Sequence, residues 1–306
     1  MVKKQHFFRP GHRALYIMAL PGFVCLIIFC YIPMVGLIMA FQNYRISQGI
    51  LGSSFAGLKN FMFLFATSDA FIITRNTVLY NLVFIAVDIV CAIALALVLS
   101  ILRTRRLAKL LQTVYMMPNF LSWAVVSIIV YAFLYKDSGL VNTILRSMEK
   151  PGTTNWYQVI KIWPGLLIFV NSWKGVGYST VVYLAVITGI SPVYYEAATI
   201  DGATKFQQAW HITLPHLRFM AGINLIMSMG GIFRGDFGLF YTVPRNTGTL
   251  FPVTNVLDTY IYRGLITLSN PAMATAAGFY QSVVGLILVL IVNKVVKKID
   301  PENGMF

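Results

Sequence analysis

Long apolar runs, separated by short basic clusters, dominate the sequence. Six runs approach the ~20 residues that a helix needs to cross a bilayer. The fifth run is the weakest, because its charge-free part between Arg218 and Arg234 is shorter than a full span. The pattern predicts an all-α, polytopic membrane protein with six transmembrane helices. The predicted spans lie roughly at residues 14–41, 76–102, 114–135, 162–190, 214–233 and 272–292.

The composition supports a membrane protein. Hydrophobic residues make up 58% of the 306 residues and charged residues 11%, whereas about a quarter of a typical soluble domain is charged. A soluble domain of this size cannot hide so much apolar surface, which excludes an ordinary soluble enzyme and a disordered chain. Cys25, Cys30 and Cys91 lie inside apolar runs, so they are interpreted as small core residues and not as a disulfide scaffold.

The positive charges predict the topology. The net charge is +14, and most of the excess lies in short clusters beside apolar runs, which indicates anionic lipid and topology control and not nucleic acid. If both termini are cytoplasmic, the inner segments hold Lys and Arg at roughly twice the density of the outer segments. The sequence thus predicts a cytoplasmic basic arm at 1–13, a transmembrane domain at 14–292 and a cytoplasmic tail at 293–306.

The sequence lacks the motifs of an ATPase or a metalloenzyme. It contains no Gly-Lys pair and hence no P-loop for nucleotide binding. His211 and His216 are the closest candidates for a metal pair, but Pro215 lies between them. We therefore predict no catalytic residues, no metal site and no cofactor bound by this chain.

Residues 191–215 form the most informative segment. Ser191 and Pro192 are typical of the start of a helix, and Asp201-Gly202 is typical of a turn or a helix end. The pattern predicts a cytoplasmic helix, a turn and a second helix that leads into span five. From this pattern alone the hairpin is either a docking site for another protein or an amphipathic element that lies on lipid.

A sequence motif distinguishes these two interpretations. The segment reads E-A-A, three residues, G, nine residues, I-x-L-P, which resembles the signature of binding-protein-dependent ABC importer permeases. The residues that match or accompany it are Glu196, Ala197, Ala198, Asp201, Gly202, Ile212, Leu214 and Pro215. Further segments resemble the carbohydrate-uptake branch that imports oligosaccharides or polysaccharide fragments, and these are residues 20–22, 31–36, 40–44, 57–61, 75–77 and 117–123.

This resemblance implies a type I ABC importer permease fold in the bacterial inner membrane. It implies a second homologous permease subunit, two ATPase subunits that hold ATP and Mg, and an extracytoplasmic solute-binding protein that delivers the carbohydrate. The segment Glu196–Gly202 then acts as the coupling helix that docks on one ATPase.

Polar and aromatic groups inside the spans are candidates for the substrate path, because polar groups are expensive there. Each also has a structural interpretation. In this interpretation Asp88 and Lys174 form an ion pair, the amides and hydroxyls join helices, and the aromatic rings mark the membrane interface. Lys174 also lies within reach of the outer surface. The candidates are Asn81, Asp88, Asn119, Trp123, Asn171, Trp173, Lys174, Tyr178, Asn224 and Ser228.

Three alternative functions are open at this stage. A secondary transporter driven by an ion gradient predicts an internal repeat and broken helices, and it does not explain the signature. An ABC importer permease for a solute other than a sugar shares the signature. A membrane-embedded enzyme requires acidic or metal-binding clusters, whereas the 10 acidic residues are scattered.

Overall fold

The computed structural model describes residues 13–66, 68–102 and 104–299, and the chain is 80% helical. Two short strands are the exception: β1 (Gln42–Asn43) pairs antiparallel with β2 (Ser54–Phe55). The helices are α1 (Arg13–Leu26), α2 (Gly49–Gly52), α3 (Lys59–Ala66), α4 (Ser68–Ile101), α5 (Arg105–Met116), α6 (Trp123–Leu134), α7 (Leu140–Ser147), α8 (Trp163–Gly189), α9 (Pro192–Ile200), α10 (Lys205–Gln208), α11 (Leu214–Met229), α12 (Phe251–Thr254), α13 (Leu257–Ile266) and α14 (Pro271–Ile299).

The first apolar run is helical throughout, but its helix type changes. A wide π-type turn (Ile27–Tyr31) follows α1, and a 3-10 helix continues over Ile32–Phe41. Pro33 stands at the start of the 3-10 segment and has no N–H to donate to the preceding turn. The change of helix type at this proline therefore has a direct covalent cause.

The interior is built around α4 and α8, which pack on each other along much of their length. One buried cluster joins α4 and α8 to α6 and includes Val126, Trp163 and Phe240. A second cluster joins α4 to α13 and α14, and a third joins α4, α8 and α11. These clusters leave one long face of α8 open, and several candidate residues lie on that face.

The predicted third span at 114–135 is wrong as a single helix. It consists of the end of α5, a 3-10 turn (Met117–Phe120) and α6, and the two helical arms meet at 99°. Pro118 cannot donate a backbone hydrogen bond, and the Ser122 hydroxyl accepts one from the Val125 N–H, which begins a new helix. The break therefore follows from the sequence Met-Pro-Asn-Phe-Leu-Ser, although the segment carries no charge and is hydrophobic on average.

The number of spans is not confirmed. In the described ranges, three helical segments are long and apolar enough to cross a membrane, and up to five if each of two bent pairs counts as one span. The three segments are Leu15–Phe41, Asp69–Ile101 and Pro271–Val295. The predicted fifth span corresponds to α11, which has only 16 residues.

The predicted domain boundaries meet the structure at two ends. The basic arm 1–13 lies outside the described residues except for its last residue. The predicted tail at 293–306 begins inside α14, which continues to Ile299 because Lys297 and Lys298 suit the negative end of the helix dipole. The remainder of the tail lies outside the described residues.

Candidate functional site

The segment at 191–215 folds as the predicted helix, turn and helix. The chain bends by 69° between α8 and α9, where Pro192 occupies the first turn of α9. Glu196 and Ala197 are exposed, and so are the apolar side chains Val193, Tyr194 and Ile200, the last of them 86% exposed. A helix that shows apolar side chains beside its charged residue has a surface suited to a partner.

Gly202 ends α9 in a left-handed conformation, with φ at +79°. The Gly202 N–H donates to the Thr199 oxygen and the Ala203 N–H donates to the Ala198 oxygen, which closes the helix end. A Cβ at position 202 would meet no atom of this chain within 4 Å. The requirement for glycine here is therefore conformational within the chain, while the space beside it is open.

Buried polar contacts hold the two arms of the hairpin together. Gln208 is only 3% exposed, and its amide nitrogen donates to the Thr199 hydroxyl at 2.9 Å. The hydroxyls of Tyr195 and Thr213 lie 2.9 Å apart. These cross-links make the hairpin one unit. The sequence analysis missed Gln208, Tyr195 and Thr213, whose only signal was polar character at helical spacing within an amphipathic segment.

The second arm continues into the membrane domain without a break. Helical residues run from Lys205 to Met229, through α10, a π-type turn (Ala209–Thr213) and α11. Ile212 and Leu214 are half-buried, and Pro215, which has no N–H, follows the widened turn. Leu217, one turn later, is fully buried in the cluster of α4, α8 and α11. The end of the signature therefore joins the hairpin to the transmembrane core.

The substrate-path candidates separate into two groups. Lys174 and Tyr178 lie on the open face of α8, and Tyr178 is 59% exposed. Below them, along the same helix face, an open groove of about 580 Å³ is lined by Met116, Tyr178, Val181, Val182, Ala185, Val186 and Met220.

Trp123 and Asn119 lie with Lys174 one helical turn beyond Tyr178, outside the residues that line the groove. The Lys174 ammonium donates to the backbone oxygen of Asn119 at 2.9 Å and lies 5.2 Å from the centre of the Trp123 ring. The Trp123 N–H donates to Asp236 at 2.9 Å. The structure thus brings together three predicted residues from α8, α6 and the turn between α5 and α6, and it adds Asp236, which the sequence analysis did not select.

Asp88 does not pair with Lys174, so the ion pair considered from the sequence is wrong. The Asp88 carboxylate instead accepts a 2.7 Å hydrogen bond from the Ser179 hydroxyl. Gly175 lies beside the same carboxylate, since a Cβ there would be 3.8 Å from it, an ordinary van der Waals distance. Asp88 is therefore half-buried at the packed interface of α4 and α8, on a different side of α8 from the open groove.

The remaining candidates are dispersed. Asn81 donates to the oxygens of Ile232 and Arg234 and so ties α4 to the turn after α11. Asn224 lies near the buried hydroxyl of Tyr183, between α11 and α8. Asn171 is half-buried, and Trp173 and Ser228 are exposed. None of these five is brought to the group around Lys174 by a described hydrogen bond or ring contact.

We predict that Asp88→Asn leaves the Michaelis constant for substrate within about twofold of the wild-type value, because an amide oxygen still accepts the Ser179 hydrogen bond. Asp88→Leu removes the acceptor and should destabilise the α4–α8 interface by roughly 0.6–1.7 kcal/mol. Steady-state transport kinetics and unfolding in mixed detergent micelles measure the two effects. A large rise in the Michaelis constant for Asp88→Asn, with normal stability, would instead assign Asp88 to the substrate path.

Comparisons with known proteins assign the chain to a family of transport proteins. Residues 89–301 match the family described as binding-protein-dependent transport system inner membrane component. The chain is 35% identical to the polygalacturonan/rhamnogalacturonan transport system permease protein YteP of Bacillus subtilis (strain 168), over 94% of this chain and 89% of that protein. It is 31% identical to protein LplB of the same organism, over 95% of this chain and 91% of that protein.

A solved structure also matches. The crystal structure of a bacterial ABC transporter involved in the import of the acidic polysaccharide alginate has a TM-score of 0.84 and 30% identity, and covers 95% of this chain and 97% of that chain. The predicted resemblance to sugar permeases and the all-α permease fold are confirmed. In this family the ATPase is a separate subunit, so the chain is a permease and not an enzyme. The chain belongs to the inner membrane components of binding-protein-dependent ABC transport systems.

Proposed function

We propose that this chain is the permease subunit of an ATP-driven importer for an oligosaccharide. The observation that carries the proposal is the exposed α9–α10 hairpin, whose second arm is continuous with α11. One relative is described as a polygalacturonan/rhamnogalacturonan transport system permease protein, and a similar solved structure is of a transporter involved in the import of alginate; both support a carbohydrate substrate.

The energy for transport enters from other subunits. Since the sequence has no P-loop, ATP and Mg bind to two partner ATPase subunits. The residues that dock on one ATPase are those of the signature: Glu196, Ala197, Ala198, Asp201, Gly202, Ile212, Leu214 and Pro215. With these residues docked on an ATPase, the hairpin and both termini lie on the cytoplasmic side of a bacterial inner membrane, as the basic clusters predict.

Coupling works because the hairpin moves as a unit. Gln208 and the pair Tyr195–Thr213 hold α9 against the second arm, so a force on Ala197 reaches α11 through a continuous helix. Leu217 on α11 packs with Val176 and Tyr183 of α8. Movement of the ATPase pair is thereby transmitted to α8, which carries Lys174 and Tyr178 on the open groove.

The rest of the permeation path comes from a second, homologous permease. The groove along α8 is open on one side, and its lining is mostly apolar. A partner of the same fold closes it and supplies the facing wall, while an extracytoplasmic solute-binding protein delivers the oligosaccharide at the end marked by Trp123 and Lys174.

Reconstitution tests this function. The full complex of two permeases, two ATPases and the binding protein should take up radiolabelled oligosaccharide into proteoliposomes only when ATP is supplied to the ATPase side, and this chain alone should take up none. A complex with a Walker-lysine variant of the ATPase is the matched control. ATP-independent uptake by this chain alone would contradict the proposal and favour a secondary transporter, and uptake of a non-sugar solute in place of all sugars would contradict the carbohydrate assignment.

A further inference from the structure

Lys174 is a half-buried cation with unused hydrogen-bonding capacity. Its ammonium has three N–H donors, of which one donates to the Asn119 oxygen. Within the described ranges, Lys174 forms no ion pair: Asp88 accepts from Ser179, and the neighbouring Asp236 accepts from the indole N–H of Trp123. A cation that is partly removed from water and lacks an anion is costly for the protein to keep.

The neighbouring indole is held rigidly. Asp236 accepts from the Trp123 N–H with one carboxylate oxygen and from the Leu239 N–H with the other. On another side Gly238 lies so close that an added Cβ would be 2.1 Å from the Trp123 ring. Trp123 as a whole is half-buried. Trp123 thus offers a fixed aromatic surface next to the Lys174 cation, one helical turn beyond the Tyr178 end of the groove.

We propose that Lys174 and Trp123 recognise a carboxylate-bearing sugar unit, so that the substrate is an acidic oligosaccharide. The two remaining N–H donors of Lys174 bind the carboxylate, and the indole of Trp123 packs against the sugar ring. This inference rests on the proposed oligosaccharide function and adds the charge of the substrate to it. The alginate transporter, whose described substrate is an acidic polysaccharide, is consistent with this choice.

The size of the open groove agrees with such a substrate. Its volume of about 580 Å³ lies within the usual range for small-molecule sites, roughly 300–1,000 Å³. Tyr178, one helical turn below Lys174, lines the groove, whereas the other lining side chains are mostly apolar. Lys174 therefore recognises the charge of the substrate, and the groove that begins at Tyr178 offers few competing polar contacts.

The proposal is tested by removing the charge of Lys174 and the charge of the substrate, separately and together, and comparing the effects on uptake. The reconstituted complex with its binding protein is given trigalacturonate and its fully methyl-esterified, neutral form. For the acid, Lys174→Gln should raise the Michaelis constant for uptake by about tenfold to hundredfold, which corresponds to the loss of a charged hydrogen bond. For the ester, the same variant should change the Michaelis constant for uptake by less than about threefold. Because the effect of the variant is compared between the two sugars, any preference of the binding protein cancels.

Two further variants separate recognition from folding. Lys174→Arg keeps the charge and should restore most of the uptake of the acid, with a maximal rate close to the wild-type rate. Lys161→Gln removes an exposed positive charge just before α8 and should leave the Michaelis constants for both sugars unchanged. Trimannuronate serves as a second acidic substrate, in case the complex accepts a different uronate.

Three results would overturn the inference. Equal effects of Lys174→Gln on the acid and the ester would refute carboxylate recognition and leave the oligosaccharide function intact. Uptake of maltotriose but of neither acidic trisaccharide would do the same. A complex that hydrolyses ATP and takes up no sugar would refute both the inference and the proposed function.

Discussion

Replacing Gly202 with tryptophan is expected to abolish substrate-stimulated ATP hydrolysis while the protein still inserts into the membrane. Two effects act together. A residue with a side chain is strained at φ +79°, typically by about 1–2 kcal/mol. The indole would also occupy the open space beside α9, where we expect the ATPase to lie. ATP hydrolysis by the complete complex, with and without loaded binding protein, measures the effect.

Two control variants separate the causes. Gly202→Ala introduces the strain with little bulk and should reduce the stimulation only partly. Gly189→Trp adds the same bulk at the end of α8, where a Cβ also meets no atom within 4 Å and no positive φ has to be kept, and it should leave stimulation largely intact. Normal stimulation in Gly202→Trp would rule out a docking role for this turn.

Replacing Gly177 with alanine should destabilise the protein by roughly 3 kcal/mol, near the upper end of the usual penalty for overpacking. An added Cβ would lie 1.9 Å from the backbone oxygen of Tyr115 and 2.9 Å from the backbone nitrogen of Met116. These atoms belong to the main chain of α5 and cannot move away by changing a rotamer. Helix α5 must therefore shift away from α8 along with the turn that carries Asn119.

Gly165→Ala in the same helix is the matched control, since a Cβ there meets no atom within 4 Å. Alanine is the better helix former by about 0.8–1 kcal/mol, so this variant should be neutral or slightly stabilising. Unfolding midpoints in mixed micelles, monitored by tryptophan fluorescence, compare the two. Equal midpoints for both variants would mean that α5 is not packed on α8 through Gly177.

The sequence predicted the helix–turn–helix shape of the α9–α10 hairpin well because its determinants are local. Pro192 at the start of a helix and Asp201-Gly202 at its end act on their immediate neighbours, and the structure has both the helix start and the left-handed glycine. Gln208 could not be selected in this way, because its importance comes from burial against Thr199, which only the folded hairpin creates.

The third span shows where hydropathy is insufficient. The average hydropathy over 114–135 shows that the segment is apolar on the whole, but it contains no information about the direction of the helix axis. Pro118 and Ser122 set the 99° break, and this local chemistry outweighs the high average hydropathy of the segment. The substrate-path candidates show a second limit, since Asp88 and Ser179 are 91 residues apart and no helical periodicity relates the face of one helix to that of another.

In the proposed complex, α9 docks on a separate ATPase while α2, between the first two predicted spans, faces the outside. Site-specific photo-crosslinking in the active, reconstituted complex tests it most directly. A photoreactive residue at the exposed Ala197 should cross-link to the ATPase subunit, identified by mass spectrometry, whereas the same residue at the fully exposed Leu51 in α2 should not. An ATPase cross-link from Leu51, or none from Ala197 in a complex that hydrolyses ATP, would contradict the docking of α9 on the ATPase.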